Sequence, residues 1–262
     1  MTPTAFVQPE PQAAARLHGR VVTRQTLDAR TRDAMFALLA SHFVGVDRTT
    51  FDRDLDEKSC AILLEDDAGV LRGFSTMLVY ESVVGGTAVS VIYSGDTIVE
   101  RFWWGSPVLA RTWIATALNA APADEAREVY WLLLTSGFRT YRFLSVFFRD
   151  FYPRFDMATP ARDGELIDVL ARERFGGQYD AEAGVVRFVR PQILAPDLIT
   201  LPRHRITRKD TEHEPMPDPH IAFFLDRNPG FVRGDELVCL TRIDERNLTP
   251  AGRRMARPAQ ER

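Results

Sequence analysis

The 262-residue chain predicts an α+β protein in which a mixed, mainly antiparallel central sheet is flanked by helices and followed by a C-terminal extension. Three observations predict it. Apolar residues recur at strand period from residue 59 to 99, with turn chemistry between the runs. Helical spacing precedes that block and returns after it. A continuous apolar run, EVYWLLLTS at 128–136, then reads as a strand buried on both faces, as a central position in a sheet requires.

Taken in order, residues 1–20 hold three prolines and alanine-rich filler without a period, and read as a mobile tail. VVTRQTL (21–27) alternates as a first strand. Asp28 is placed to cap the helix that follows, where Met35, Leu38, Leu39 and Phe43 share a face. Asp47 can cap a second helix, DRTTFDRDLDEK. Asp67-Ala68-Gly69 and Val84-Gly85-Gly86 then divide the strand block into an antiparallel meander. GSPVLARTWIATALNAAP (105–122) is an amphipathic helix with Pro107 in its first turn. After the buried strand, FRTYRFLSVFFRDFYPRF reads as helical up to Pro153.

The remainder predicts a helix over 164–176, a short strand over 184–190, a proline-punctuated connector over 191–219, a short helix in PHIAFFLDRNPG and a late strand in DELVCLTRI. The organisation expected is a tail (1–20), a core (21–160) and an extension (161–262) packed on that core. The extension's apolar runs, Leu166 to Leu170, Ile221 to Leu225 and Leu237 to Leu240, are too short to enclose a core alone.

Composition bounds the function. With 45% hydrophobic and 26% charged residues, the chain is neither collagenous nor of low complexity nor disordered by charge. A net charge of -3 leaves no bulk positive surplus for a phosphate backbone, so nucleic acid is not an expected partner. No apolar run of about eighteen residues occurs, so no membrane span is expected. The first twenty residues lack a basic start followed by an apolar block, and the expected location is the cytoplasm.

Cys60 and Cys239 are too few and too distant for a disulfide framework, and both sit in apolar runs that suit small core residues. His204, His213 and His220 alternate with acidic residues at no ligand spacing, so a solvated loop rather than a metal site is expected. Neither a nucleophile elbow, a P-loop nor a dinucleotide-binding glycine turn is present.

The element order resembles the GCN5-related N-acetyltransferase fold over roughly residues 21–160. In that family the fourth strand carries a bulge, and a pyrophosphate-binding turn and a helix start follow. Here Ser90 to Val99 is the counterpart of that strand, and Gly95 suits the bulge because glycine tolerates the backbone an extra residue demands. The resemblance implies a slot between this strand and 128–136 that admits the pantetheine arm of acetyl-CoA or another acyl-CoA. Thr97, Ile98 and Val99 would hold the arm, with Arg101, Trp104, Gly105 and Ser106 at the phosphate end. The chain departs from the family's turn: Trp104 stands where an arginine is expected, and Pro107, which lacks an N–H, where a glycine is.

The activity so implied is attack of an amine of a small metabolite on the thioester, without metal or covalent intermediate. Tyr152 resembles the family's proton donor to the leaving thiolate, with packing among Phe147, Phe148, Phe151 and Phe155 as the competing reading. Glu81 and Asp96 are the carboxylates placed to act as base, unless they serve a turn and the bulge. The alternative reading is a protein of this fold that uses a thioester on an acyl carrier protein, runs another reaction in the same cleft, or only binds a ligand.

Overall fold

The computed structural model describes residues 16–120, 127–198 and 218–257. In chain order the elements are β1 (Leu17–Thr23), α1 (Ala29–His42), β2 (Phe43–Val44), α2 (Arg48–Glu57), β3 (Cys60–Asp66), β4 (Leu71–Val84), β5 (Thr87–Val99), α3 (Val108–Asn119) and β6 (Val129–Thr135). Then follow α4 (Phe138–Phe147), β7 (Phe151–Tyr152), α5 (Ala161–Phe175), β8 (Tyr179–Asp180), β9 (Val185–Val186), β10 (Ile193–Leu194), α6 (Pro219–Arg227), β11 (Glu236–Arg242) and α7 (Pro250–Ala256).

The turns form where the sequence predicts. Gly69, Gly85 and Gly86 adopt φ of 73°, 56° and 79°, backbone that glycine enters without a Cβ clash, and they close the β3–β4–β5 meander. Asp28 accepts from Thr31 N at 2.8 Å and Asp47 from Thr50 N at 2.8 Å, capping α1 and α2. α3 starts only at Val108, because Pro107 occupies the residue before it.

The main sheet runs β1-β3-β4-β5-β6-β11-β9-β8, with β7 also pairing β11. Among the described residues only β5 and β6 pair in parallel. Every residue of β6 is buried, as its apolar run requires. One face of the sheet packs Ile92, Trp131 and Leu133 under Trp113 of α3 and Tyr141 and Leu144 of α4. The other packs Val91 and Leu132 under Leu166 and Leu170 of α5. A third cluster joins Met35 and Leu39 of α1 and Phe51 and Leu55 of α2 to Ala61, Leu63, Phe74 and Ile98.

Four local expectations are corrected. β1 begins at Leu17, so residues 17–20 belong to the sheet and not to a tail, while Arg24–Thr26 form a 3₁₀ turn. As an edge strand β1 exposes most of its side chains, and alternation marks it poorly. α4 stops at Phe147 and does not reach Pro153, because Asn247 captures the chain there. Its carbonyl accepts from Arg149 N and its Oδ1 from Asp150 N, both at 2.8 Å, and this hands residues 151–152 to β11. β9 is confined to Val185–Val186. α3 starts three residues later than the predicted 105 and ends at Asn119, with residues 121–122 of the prediction outside the described residues. Within the expected extension, β11 lies directly against β6 and α5 covers one sheet face, so these segments finish the core.

Candidate active site

β5 carries one residue more than its partner. Ser75 pairs with Thr97 and Met77 with Ser94, so Thr76 alone faces Gly95 and Asp96. This is a bulge, and it turns the strand. The pairing of β5 with β6 stops at Ser94 and Leu133, immediately before the bulge. Beyond that point the parallel strands part, as the resemblance implied.

The parted edge leaves backbone groups open. Glu100 N–H donates to Arg72 O at 2.8 Å, so by strand alternation Ile98 also faces β4, while Thr97 and Val99 turn their N–H and C=O groups away from it. Val99 O is taken by the Trp104 indole N–H at 2.7 Å. Of the three residues expected to hold an amide-rich arm, Thr97 and Val99 therefore carry the edge, and the backbone of Ile98 is used by β4. A cavity of about 880 Å³ opens here, with all three among its lining residues.

The floor of this cavity gathers charge from separate elements. Asp96 comes from the bulge, Glu236 from the start of β11, and Asp54 and Glu57 from α2. Lys58 is buried behind the bulge, its Nζ 2.7 Å from Asp54 Oδ1 and 4.9 Å from the Tyr93 ring centre. Arg174 of α5 pairs with Glu57 at 2.5 Å and lies over the same ring at 5.2 Å. Asp54 and Glu57 are thus each matched by a cation, whereas Asp96 and Glu236 have no ion pair among the described residues.

Desolvation, together with the nearby charge of Asp54, pushes the Asp96 carboxyl up to about 7, although Lys58 works against the rise. Desolvation likewise pushes Glu236 up to about 8, helped by the charges of Asp96 and Asp54. The charge of Asp96 thus adds to the rise at Glu236, so the two carboxyls hold protons over adjoining pH ranges. Tyr93 is held well above its ordinary value by burial and by the same carboxylates. Ser94 closes the floor by accepting from Trp131 Nε1 at 2.8 Å.

At the mouth, Arg101–Trp103 form a 3₁₀ turn ahead of α3. Three N–H groups between Arg101 and Ser106 are used internally: Trp103 N bonds Glu100 O at 2.8 Å, Trp104 N bonds Arg101 O at 3.3 Å and Ser106 N bonds Trp103 O at 2.9 Å. Trp104 and Ser106 line the cavity, whereas Arg101 and Gly105 lie outside its lining. Arg139 of α4 lines it too and stacks on Trp104, its guanidinium carbon 3.8 Å from the ring centre.

Two predicted catalytic residues lie elsewhere. Glu81 is exposed on β4 and paired with Arg127. Tyr152 packs in the cluster of Leu166, Leu170 and Tyr179, and its hydroxyl donates only to Met157 Sδ at 3.7 Å. Neither borders the cavity. Residues Glu236, Asp54, Lys58, Arg139 and Arg174 were not anticipated as functional. Lys58 carried the one available signal, being one of two lysines in a chain where Lys and Arg total 33.

Cys239 is a core residue and Cys60 packs against the same cluster. His220 packs among Tyr141, Phe151 and Phe155, while His204 and His213 lie outside the described residues. Among the described residues no helix is long and apolar enough to cross a membrane.

No protein-family model matches the chain, and no curated protein does. Solved structures similar to it include a protein of Enterococcus faecalis V583 described as a probable N-acyltransferase, 13% identical with a TM-score of 0.39 over 60% of this chain and 44% of that one. A GNAT family N-acetyltransferase from Escherichia coli in complex with CoA is 17% identical, with a TM-score of 0.36 over 51% of this chain and 70% of that one. A GCN5-related N-acetyltransferase from Kribbella flavida is 12% identical, with a TM-score of 0.37 over 63% of this chain and 45% of that one. The chain thus spans less than half the length of the first and third.

Proposed function

We propose that this chain is an acyl-CoA-dependent acyltransferase that transfers an acyl group to an amine of a small metabolite, in the cavity where β5 and β6 part. The observation that carries the reading is the pair Asp96 and Glu236 on the floor of that opening. Two carboxyls pushed up to about 7 and about 8 exchange protons near neutral pH, which ordinary carboxylates do not.

The chemistry divides between floor and edge. An acceptor enters as an ammonium ion and gives one proton to the ionised member of the pair, assigned here to Asp96. The freed lone pair attacks the thioester carbonyl, and the open N–H groups of Thr97 and Val99 are donors of the kind an oxyanion or an amide-rich arm needs. The carbon–sulfur bond breaks, Glu236, protonated below about 8, protonates the departing thiolate, and the second amine proton restores Glu236 while Asp96 gives its proton up to solvent. The products are an amide, a thiol and one proton released to solvent. Lys58 and Arg174 neutralise Asp54 and Glu57, so the floor does not accumulate four negative charges.

A coupled assay tests this reading. The full chain is incubated with a panel of acyl-CoA donors and small amines while free thiol is measured. Amine-dependent thiol release, abolished in Asp96→Asn, supports the reading, and its absence across the panel removes it.

A further inference from the structure

We propose that the acceptor is an amine that also carries a carboxylate, separated from it by an apolar body, with the ammonium on the floor by Asp96 and Glu236 and the carboxylate held by Arg53 and Arg190. The inference rests on the acyl-CoA reading and narrows its substrate class. Four arginines line the cavity: Arg53, Arg139, Arg174 and Arg190. Arg139 stacks on Trp104 at the mouth. Arg53 stands one turn before Glu57 on α2, the spacing at which the two would pair, but Glu57 is taken by Arg174 at 2.5 Å. Arg53 and Arg190 are exposed, and neither forms an ion pair among the described residues.

The segment between β9 and β10 brings Arg190 to the cavity, and its course is fixed. β10 pairs with β2, and Ala195 N–H donates to His42 O at 2.8 Å. Pro191 lies so close to two glycines that a Cβ on Gly45 would come 3.0 Å from its carbonyl oxygen and one on Gly234 2.6 Å from its Cβ. Both arginines lie near the start of α2, where the Thr50 N–H first holds Asp47 below its ordinary value and the charges of Arg190 and Arg53 add to that. Asp47 itself is spent on capping α2.

A row of rings joins the floor to this end. Tyr93 is 5.8 Å from Phe175 and Phe175 is 6.1 Å from Phe188, centre to centre, and all three line the cavity. Tyr93 stands three residues before Asp96, and Phe188 two before Arg190. The cavity thus offers carboxyls without cations at one end, cations without carboxylates at the other and rings in the path. An amine and a carboxylate joined by an apolar body complement all three, and a guanidinium fork can give a carboxylate two parallel N–H donors.

Thiol release with the acyl-CoA panel, and calorimetric titration of the full chain, test the inference on two matched pairs of amines. These are 4-(aminomethyl)benzoate against 4-methylbenzylamine and 6-aminohexanoate against hexylamine, in wild type, Arg53→Ala, Arg190→Ala and the double variant. The expected result is that wild type prefers the carboxylate-bearing member by about 10–100-fold in kcat/KM, expressed mainly in KM. In the double variant the preference should narrow to about three-fold or less. The preference is a ratio within one protein, so a partly unfolded variant does not mimic its loss. Equal use of both members by wild type, or a preference unchanged in the double variant, overturns the carboxylate site and leaves the acyltransferase reading standing. Arginine-dependent binding of the carboxylate-bearing amines by a chain that releases no thiol supports the site and removes the acyltransferase reading. A wild type that neither binds nor acylates any of the four amines overturns the inference.

Discussion

The two halves of β5 differ by their neighbours more than by their composition. From Ser90 to Ser94 the strand lies between β4 and β6, and its side chains Val91 and Ile92 are fully buried on opposite faces. From Thr97 to Val99 it keeps β4 alone and borders the cavity. One extra residue separates the two states. The closed half stabilises the fold by burial, whereas the open half spends burial on titratable groups and unpaired backbone. Substitutions in the two halves should therefore fail in different ways.

The largest expected effect is on turnover and belongs to the open half. Asp96→Asn keeps size and shape but cannot take a proton, so turnover should fall by about 10² to 10⁴ while the circular dichroism spectrum is unchanged. A variant with wild-type turnover would move the base elsewhere. In the closed half, Trp131→Ala removes a ring packed 4.0 Å from Trp113 and leaves the Ser94 hydroxyl without its indole donor. That should cost about 3–5 kcal/mol in denaturant unfolding, and a cost below about 1 kcal/mol would show that this half is not the rigid support described.

Next comes the pH dependence of stability. The folded state raises Asp96 from 3.8 to about 7 and Glu236 from 4.5 to about 8, so between those limits it holds more protons than the unfolded chain. As far as these groups decide it, stability is highest below about pH 4, where both states hold the protons, and falls as the pH rises towards 8. Each tenfold change in a carboxyl's proton affinity is worth about 1.4 kcal/mol, and water in the cavity screens part of it, so the decline is roughly 2–4 kcal/mol. Asp96→Asn should flatten the curve and be the more stable protein at pH 8. A wild-type stability that rises over this range would contradict the burial of the pair.

Gly95→Ala joins the two halves in one measurement. A Cβ there would sit 2.6 Å from Thr76 Oγ1, 2.8 Å from Lys58 Cε and 3.0 Å from its Nζ. The lysine must then shift from Asp54. Destabilisation of about 1–3 kcal/mol is expected, with a loss of turnover larger than stability explains. If activity and stability fall in proportion, the bulge is only a structural joint.

Much of the closed half was legible in the sequence. The β6 run and the glycine turns state their structure locally, and so do the aspartate caps of α1 and α2. Gly95 announced the bulge for a different reason from the turn glycines: its φ is not positive, and a Cβ is excluded by the close approach of Thr76 and Lys58. The floor was legible only at Asp96. Glu236 stands more than one hundred residues away and reaches the site because β11 pairs with β6 in one particular register. No local pattern encodes that register. Lys58 looks like any surface lysine at the end of an acidic helix until α2 is packed on the bulge. Glu81 and Tyr152 show the converse, since position along the chain does not say what a side chain meets: Glu81 is exposed and paired with Arg127, and Tyr152 packs with Leu166, Leu170 and Tyr179.

The smallest expected effect separates packing from chemistry at Tyr152. Its hydroxyl has one weak acceptor, Met157 Sδ at 3.7 Å, and its ring supports the cluster under α5. Tyr152→Phe keeps the ring and loses only that contact, so stability should change by less than about 1 kcal/mol and turnover by less than about two-fold. Tyr152→Ala empties the same site and should destabilise by about 3–5 kcal/mol, with activity following the folded fraction. A large loss of turnover in Tyr152→Phe at unchanged stability would mean that the leaving thiolate is protonated in the cluster of Leu166, Leu170 and Tyr179, away from the cavity lining. The floor built by Asp96 and Glu236 would then be a charge store and not the site of reaction. Wild-type turnover in the phenylalanine variant, set against the collapse in Asp96→Asn, places the proton traffic on the open half of β5.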